Sequence, residues 1–167
     1  MTRPSGSAGR APIPEPEEFA RSLPKGARLM GLDVGTKTVG LALSDVTRTI
    51  ATGFTTLRRS RFADDARRLL ELAAEHGVGG LVVGLPINLD GSEGPRAQAT
   101  RAFTRNLSRL TALPILYWDE RLTTAAAERM LLEADLSRRR RSEVIDKVAA
   151  TLILQSALDR LRRLEGR

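Results

Sequence analysis

Three acidic positions in this chain stand in surroundings that do not suit a charge. Asp33 ends the apolar run Leu29-Met30-Gly31-Leu32, and Asp119 and Glu120 end the run from Pro114 to Trp118. Asp146 lies inside a third apolar segment, between Val144-Ile145 and Val148-Ala149. A carboxylate is costly to desolvate unless a cation or hydrogen-bond donors compensate it. Converged without a cation, such acids would raise one another's pKa and destabilise the fold, a balance that a bound Mg²⁺ or Mn²⁺ reverses. A pair of these ions can activate water and stabilise a leaving oxygen in phosphodiester cleavage. Local roles remain open beside that chemistry: Asp33 can cap its own turn, and Asp146 can pair with a nearby arginine.

Composition narrows the choice. There is no cysteine, which removes disulfides, thiolate chemistry and cysteine-ligated zinc, and a single histidine, His76, which removes His-rich metal sites. Any resident metal is therefore expected to be a hard cation on oxygen ligands. The chain has 167 residues, 41% of them hydrophobic, enough for one domain with its own core. No apolar run reaches the ~18 residues of a membrane span, and a cytoplasmic location is expected. The net charge of +7 gathers at the two ends of the chain. That surplus attracts polyanions, nucleic acid among them, without identifying one.

The elements that would position the acids follow from spacing. Residues 1–27, rich in Pro, Gly, Ser and Ala, read as a flexible N-terminal tail, and residues 28–167 as the folded domain. Leu29–Leu32 and the alternating stretch Val39–Leu43 form a hairpin around Gly35-Thr36-Lys37, and Thr49–Leu57 reads as a third strand. Arg61–His76 is an amphipathic helix stopped by Gly77, with His76 a capping or surface residue. Gly80–Gly84 is a strand covered on both faces, followed by the loop Leu85–Ser92 at the end where open α/β sheets place functional loops. A helix over Gly94–Leu113 precedes the strand Pro114–Trp118. Thr123 or Thr124 then caps a helix expected to bury Ala126, Met130 and Leu131. The run Arg138-Arg139-Arg140-Arg141 reads as a solvent-facing loop, and a last helix is expected from Ser142-Glu143 onward. Helical connections between the later strands predict parallel pairing. The fold class is α/β: a mixed five-stranded sheet, with a three-stranded antiparallel meander plus two parallel strands, flanked by helices.

Five motifs in order carry a resemblance. Gly31-Leu32-Asp33-Val34-Gly35-Thr36-Lys37, Val82-Val83-Gly84-Leu85-Pro86, Asp119-Glu120-Arg121-Leu122-Thr123-Thr124, Ile145-Asp146-Lys147-Val148-Ala149-Ala150 and Ile153-Leu154-Gln155 resemble the YqgF/RuvX family. The resemblance covers about residues 28 to 160 and implies an RNase H-like fold related to the Holliday-junction resolvase RuvC. It implies a metal-dependent endonuclease that processes the 5′ end of pre-16S rRNA in ribosome biogenesis, or a nuclease of branched DNA. On that resemblance Asp33, Glu120 and Asp146 are the catalytic, metal-binding acids, with Mg²⁺ or Mn²⁺ as cofactor. Asp119 matches the motif without an assigned role. Lys37, Arg121, Lys147 and Arg138, Arg139, Arg140 and Arg141 would position phosphates, in a monomer or homodimer.

Two other readings compete. Asp-x-Gly-Thr after a strand also resembles the first phosphate loop of sugar kinases and actin-like ATPases, which need a second related domain. A nucleic-acid-binding module without turnover fits the basic surplus equally well, but gives no reason to bury three acids.

Overall fold

The computed structural model describes residues 15–135 and 138–165. Strands β1 (Arg28–Val34), β2 (Thr38–Ser44) and β3 (Ala51–Arg58) form an antiparallel meander. Helix α2 (Phe62–Glu75) leads to β4 (Val78–Leu85), and α3 (Pro95–Ser108) leads to β5 (Ile115–Asp119). Both later strands run parallel, β4 to β1 and β5 to β4, in the sheet order β3-β2-β1-β4-β5. A single 3-10 turn (Glu120–Leu122), helix α4 (Ala125–Asp135) and the 28-residue α5 (Arg138–Glu165) complete the domain. This is the mixed sheet expected from the sequence.

The sheet is covered on both faces. One core joins Ala66, Leu69, Leu72 and Ala73 of α2 and Phe103 and Leu107 of α3 to Leu32, Leu41 and Val83 of the strands. The other is built on α5, whose Ala149, Ala150, Ile153, Leu154 and Leu158 pack with Ala42, Val82 and Leu116. The small residues Gly40 and Ala42, which alternate with the larger ones of β2, lie beneath α5. At Gly40 a Cβ would stand 2.1 Å from the backbone oxygen of Asp146. Helix and strand backbones therefore touch, and this contact delivers Asp146 to the sheet.

Four expectations need correction. The tail reading fails for its described part: Pro16–Ser22 form α1, with Pro16 in the first turn and Phe19 fully buried in the α5-side core. The closely spaced prolines obscured this helix, because a Pro at a first helical position is favourable rather than disruptive; residues 1–14 lie outside the described residues. The helix expected over residues 94–113 spans only Pro95–Ser108. Backbone of the Arg138–Arg141 run is the start of α5, not a loop, and α5 begins four residues before Ser142. Arginine is among the better helix formers, and that preference outweighs repulsion along the run; the side chains of these four lie outside the described residues. Finally, Ala126, Met130 and Leu131 of α4 face solvent, Met130 at 73% and Leu131 at 61% exposure. The inward stripe is Ala125, Arg129 and Leu132, one to two turns apart. His76 caps α2 as expected, its Nδ1 2.9 Å from the Leu72 carbonyl.

Phe19→Ala is expected to cost about 3–5 kcal/mol in urea unfolding, the usual loss for emptying a buried aromatic site. Gly40→Ala is expected to cost about 3 kcal/mol, the upper end of overpacking penalties, because the atoms it meets are backbone. Neither loss would occur if α1 and α5 were only loosely laid on the sheet.

Candidate active site

Asp33 sits one residue from the carboxyl end of the central strand, paired across to Gly40, and is 2% exposed. Glu120 follows β5 directly and is 5% exposed. Because β1, β4 and β5 are parallel, the carboxyl ends of β1 and β5 lie at the same edge of the sheet. Asp146 comes from α5 across the other side of β2 and is 8% exposed. The Thr38 hydroxyl donates to its Oδ2, which lies where a Cβ on Gly35 would be only 2.9 Å away. The Asp33 carboxyl feels the charge of Asp146, and Glu120 feels that of Asp33, so Asp33 has each of the other two acids as an electrostatic neighbour.

Neighbouring Asp119 does something else. Its Oδ1 accepts the Arg121 N–H at 2.9 Å, capping the 3-10 turn, and its Oδ2 holds the Arg121 guanidinium at 2.7 Å. Asp119 thereby ends β5 and starts the turn that swings Glu120 inward. Arg121, expected on phosphate, is engaged by that pair. Lys37 lies in the exposed β1–β2 turn, where its carbonyl accepts from the Arg59 N–H. The stem of Lys147 lies over β3, its Cγ 3.0 Å from where a Gly53 Cβ would stand.

Among the described residues, the cations that act on Asp33 and Glu120 are two arginines to which the sequence assigns no role. Nη2 of Arg129 donates to Asp33 Oδ1 at 2.5 Å and to Glu120 Oε1 at 2.6 Å. Nη2 of Arg96, in the first turn of α3, lies 3.5 Å from the same Asp33 oxygen. Arg129 left no signal in the sequence, where apolarity points to Ala126, Met130 and Leu131 as the inward stripe. Arg96 left none either, because it follows a turn and carries no periodicity of its own.

Burial pushes the Asp33 carboxyl up to about 6, with the Asp146 charge adding to it and Arg129 and Arg96 opposing. Burial likewise raises Glu120, opposed by Arg129 and aided by Asp33. For Arg129, burial works against the charge, but the Asp33 and Glu120 carboxylates outweigh it and hold its pKa above the ordinary value. As the side chains lie, no group of three or more acids, His or Cys among the described residues is arranged to hold a metal ion. Arg129 supplies positive charge between two of the acids instead. Yet Asp33 Oδ2 and Glu120 Oε2 are buried with no hydrogen-bond partner. Two orphaned carboxylate oxygens beside a third acid are a donor set that fits a hard divalent cation.

A carboxyl whose folded pKa is raised to about 6 binds a proton that the unfolded chain has already released. Its stability contribution is present below the unfolded value and is lost as pH rises through about 6. The metal-free protein should thus lose stability between about pH 4 and pH 7. Asp33→Asn should flatten that slope and gain about 1–3 kcal/mol at pH 8, read by urea unfolding in a chelator. An unchanged pH slope would show that the carboxyl is not held protonated by its surroundings.

With the site described, its relatives can be placed. The family model described as "RuvX: Holliday junction resolvase" matches residues 27–160. A protein of Rhodobacter capsulatus named "Putative pre-16S rRNA nuclease" is 59% identical over 151 residues, covering 90% of this chain and 95% of the relative. One of the same name from Cereibacter sphaeroides is 62% identical over 145 residues, covering 87% and 91%. Among solved structures, T. thermophilus RuvC in complex with a Holliday-junction substrate superposes with a TM-score of 0.52 at 13% identity, covering 83% of this chain and 96% of that one. That likeness shows the fold, an RNase H-like sheet with its flanking helices. On the extent of the family match and the identity to its relatives, the chain belongs to the RuvX family.

Proposed function

We propose that this protein is a metal-dependent endonuclease that hydrolyses phosphodiester bonds of pre-16S rRNA during ribosome biogenesis. The observation that supports the reading is that Asp33 has Glu120 and Asp146, each from a separate element, as electrostatic neighbours, with buried oxygens of Asp33 and Glu120 left without partners. A purely structural ion pair leaves no such oxygens, since an unpaired buried acceptor is destabilising. The names of its relatives support the substrate.

Asp33, Glu120 and Asp146 would hold Mg²⁺ or Mn²⁺, which supplies charge neutralisation at the phosphate and activation of water when bound. The chain's own contributions are positional. Asp33 is fixed by its strand and Glu120 by the 3-10 turn that Asp119 caps. Asp146 is fixed by the Thr38 hydroxyl and the backbone contact at Gly40. Arg96, its side chain 44% exposed beside Asp33, is placed to meet an incoming phosphate oxygen. The basic residues of the surface would draw the polyanion in.

Branched DNA is the second reading, favoured by the description of the family model. A phosphate-loop kinase finds less support: the described residues form one five-stranded sheet, without the second related domain that such enzymes need.

Labelled pre-16S rRNA and a four-way DNA junction, each with Mg²⁺ or Mn²⁺, separate these readings. Wild type should cut the rRNA, and Asp33→Asn should lower the rate by more than about 100-fold, beyond the loss seen for residues that merely support metal ligands. RNA binding and fold should survive in the variant. Preferred cutting of the junction would transfer the assignment to DNA, and no cutting of either substrate would leave a binding module.

A further inference from the structure

We infer that Arg129 is a built-in counter-cation of the acidic site, which holds Asp33 and Glu120 together without metal and is displaced when a divalent cation binds. The inference rests on the metal-binding reading of these acids. Its basis is geometric. One guanidinium nitrogen contacts both Asp33 Oδ1 and Glu120 Oε1, so Arg129 occupies the space between the two carboxylates. It is nearly buried, at 12% side-chain exposure, and its Nε has no partner. Arg129 is therefore aimed at the acids without being fully satisfied by them. A divalent cation drawing on the same carboxylates would be repelled by a guanidinium at hydrogen-bond distance. The two positive charges are alternatives rather than companions.

Helix α4 is built to let Arg129 leave. Among its described side chains, Ala126, Met130 and Leu131 face outward, Ala125 is fully buried, and Arg129 and Leu132 are half-buried. The helix packs on α5 and the 3-10 turn, and Arg129 ties it to Asp33 of β1. Metal loading and detachment of α4 are therefore linked, and the linkage is reciprocal: anything that lifts α4 strengthens metal binding. In the metal-free state Arg129 also keeps the acids from driving each other apart, so the site persists without its ion.

Calorimetric titration of Mn²⁺ into the whole protein at pH 8 tests this, comparing wild type, Arg129→Gln and Arg129→Lys. Arg129→Gln should bind Mn²⁺ about 5- to 150-fold more tightly, the usual span of a coupling between two bound species. Arg129→Lys, which keeps the charge, should bind close to wild type. Metal-free Arg129→Gln should melt below wild type, and saturating Mn²⁺ should narrow the gap. In wild type alone, amide exchange over residues 126–132 should quicken when Mn²⁺ is added, a readout that survives even if the variants fold poorly. Equal or weaker Mn²⁺ binding by Arg129→Gln, or exchange that slows or stays constant with metal, would overturn the inference while leaving the nuclease reading intact. Mn²⁺ binding by none of the three proteins would overturn both.

Discussion

The structure depends on keeping three carboxylates together away from water. Burial costs each of them its hydration, and for Asp33 and Glu120 a neighbouring acid adds to the cost of the ionised state. That cost is visible in the upward shifts of Asp33 and Glu120. What offsets it is local and specific: Arg129 between Asp33 and Glu120, Arg96 at the edge, and the Thr38 hydroxyl on Asp146. Losing the shared cation costs more than its pairs contribute, because two buried carboxylates are left stranded. The site is therefore held by mutual dependence, not by the net strength of any one contact.

Tertiary structure answers that constraint with rigid placement. A sheet whose strands β1, β4 and β5 run in one direction collects its carboxyl ends at one end, and two acids arrive there from the strands on either side of β4. Bringing the third acid from a helix requires the helix axis to approach the sheet closely. Gly40 permits the α5 backbone to touch β2, and Gly31 does the same farther along, where a Cβ would lie 2.9 Å from the Ala150 oxygen. The cores on the two faces fix the remaining freedom. Phe19 belongs to this system: α1 adds an aromatic side chain to the α5-side core.

The mixed sheet, with its antiparallel meander and two parallel strands, was legible because it rests on short-range signals, and so was the placement of each acid at an apolar run. Continuous apolar runs marked the covered strands, alternation marked the hairpin, and a charge ending or interrupting an apolar run marked each acid. The family resemblance selected Glu120 over Asp119; strand alternation alone could say only that one of them faces inward, and the Asp119–Arg121 cap shows how the choice is made. What escaped notice was set by tertiary context. Arg129 was hidden because residues of a helix that spends its inward face on an ion pair leave Met130 and Leu131 outside, contrary to the apolar-inside rule. Arg96 was hidden because nothing local ties the start of α3 to β1. The phosphate-binding cations expected at Arg121 and Lys147 were placed by motif membership, whereas one is occupied by Asp119 and the other lies over β3.

The orientation of α4 bears on what the site is for. A fold under selection for stability alone would replace a buried charge cluster with apolar residues of similar volume, an exchange that is often neutral or favourable. Here the apolar residues of α4 face solvent while its arginine is turned toward the acids, so the helix gives up hydrophobic burial to keep the charges compensated. Even then, compensation is incomplete, with one oxygen on each of Asp33 and Glu120 and the Arg129 Nε left unpaired. Capacity for another ligand at the carboxylates gives those orphaned atoms a purpose that a structural ion pair does not. A binding module would gain nothing from them, whereas the proposed exchange of the internal cation for a metal ion draws on both the acids and their incomplete satisfaction.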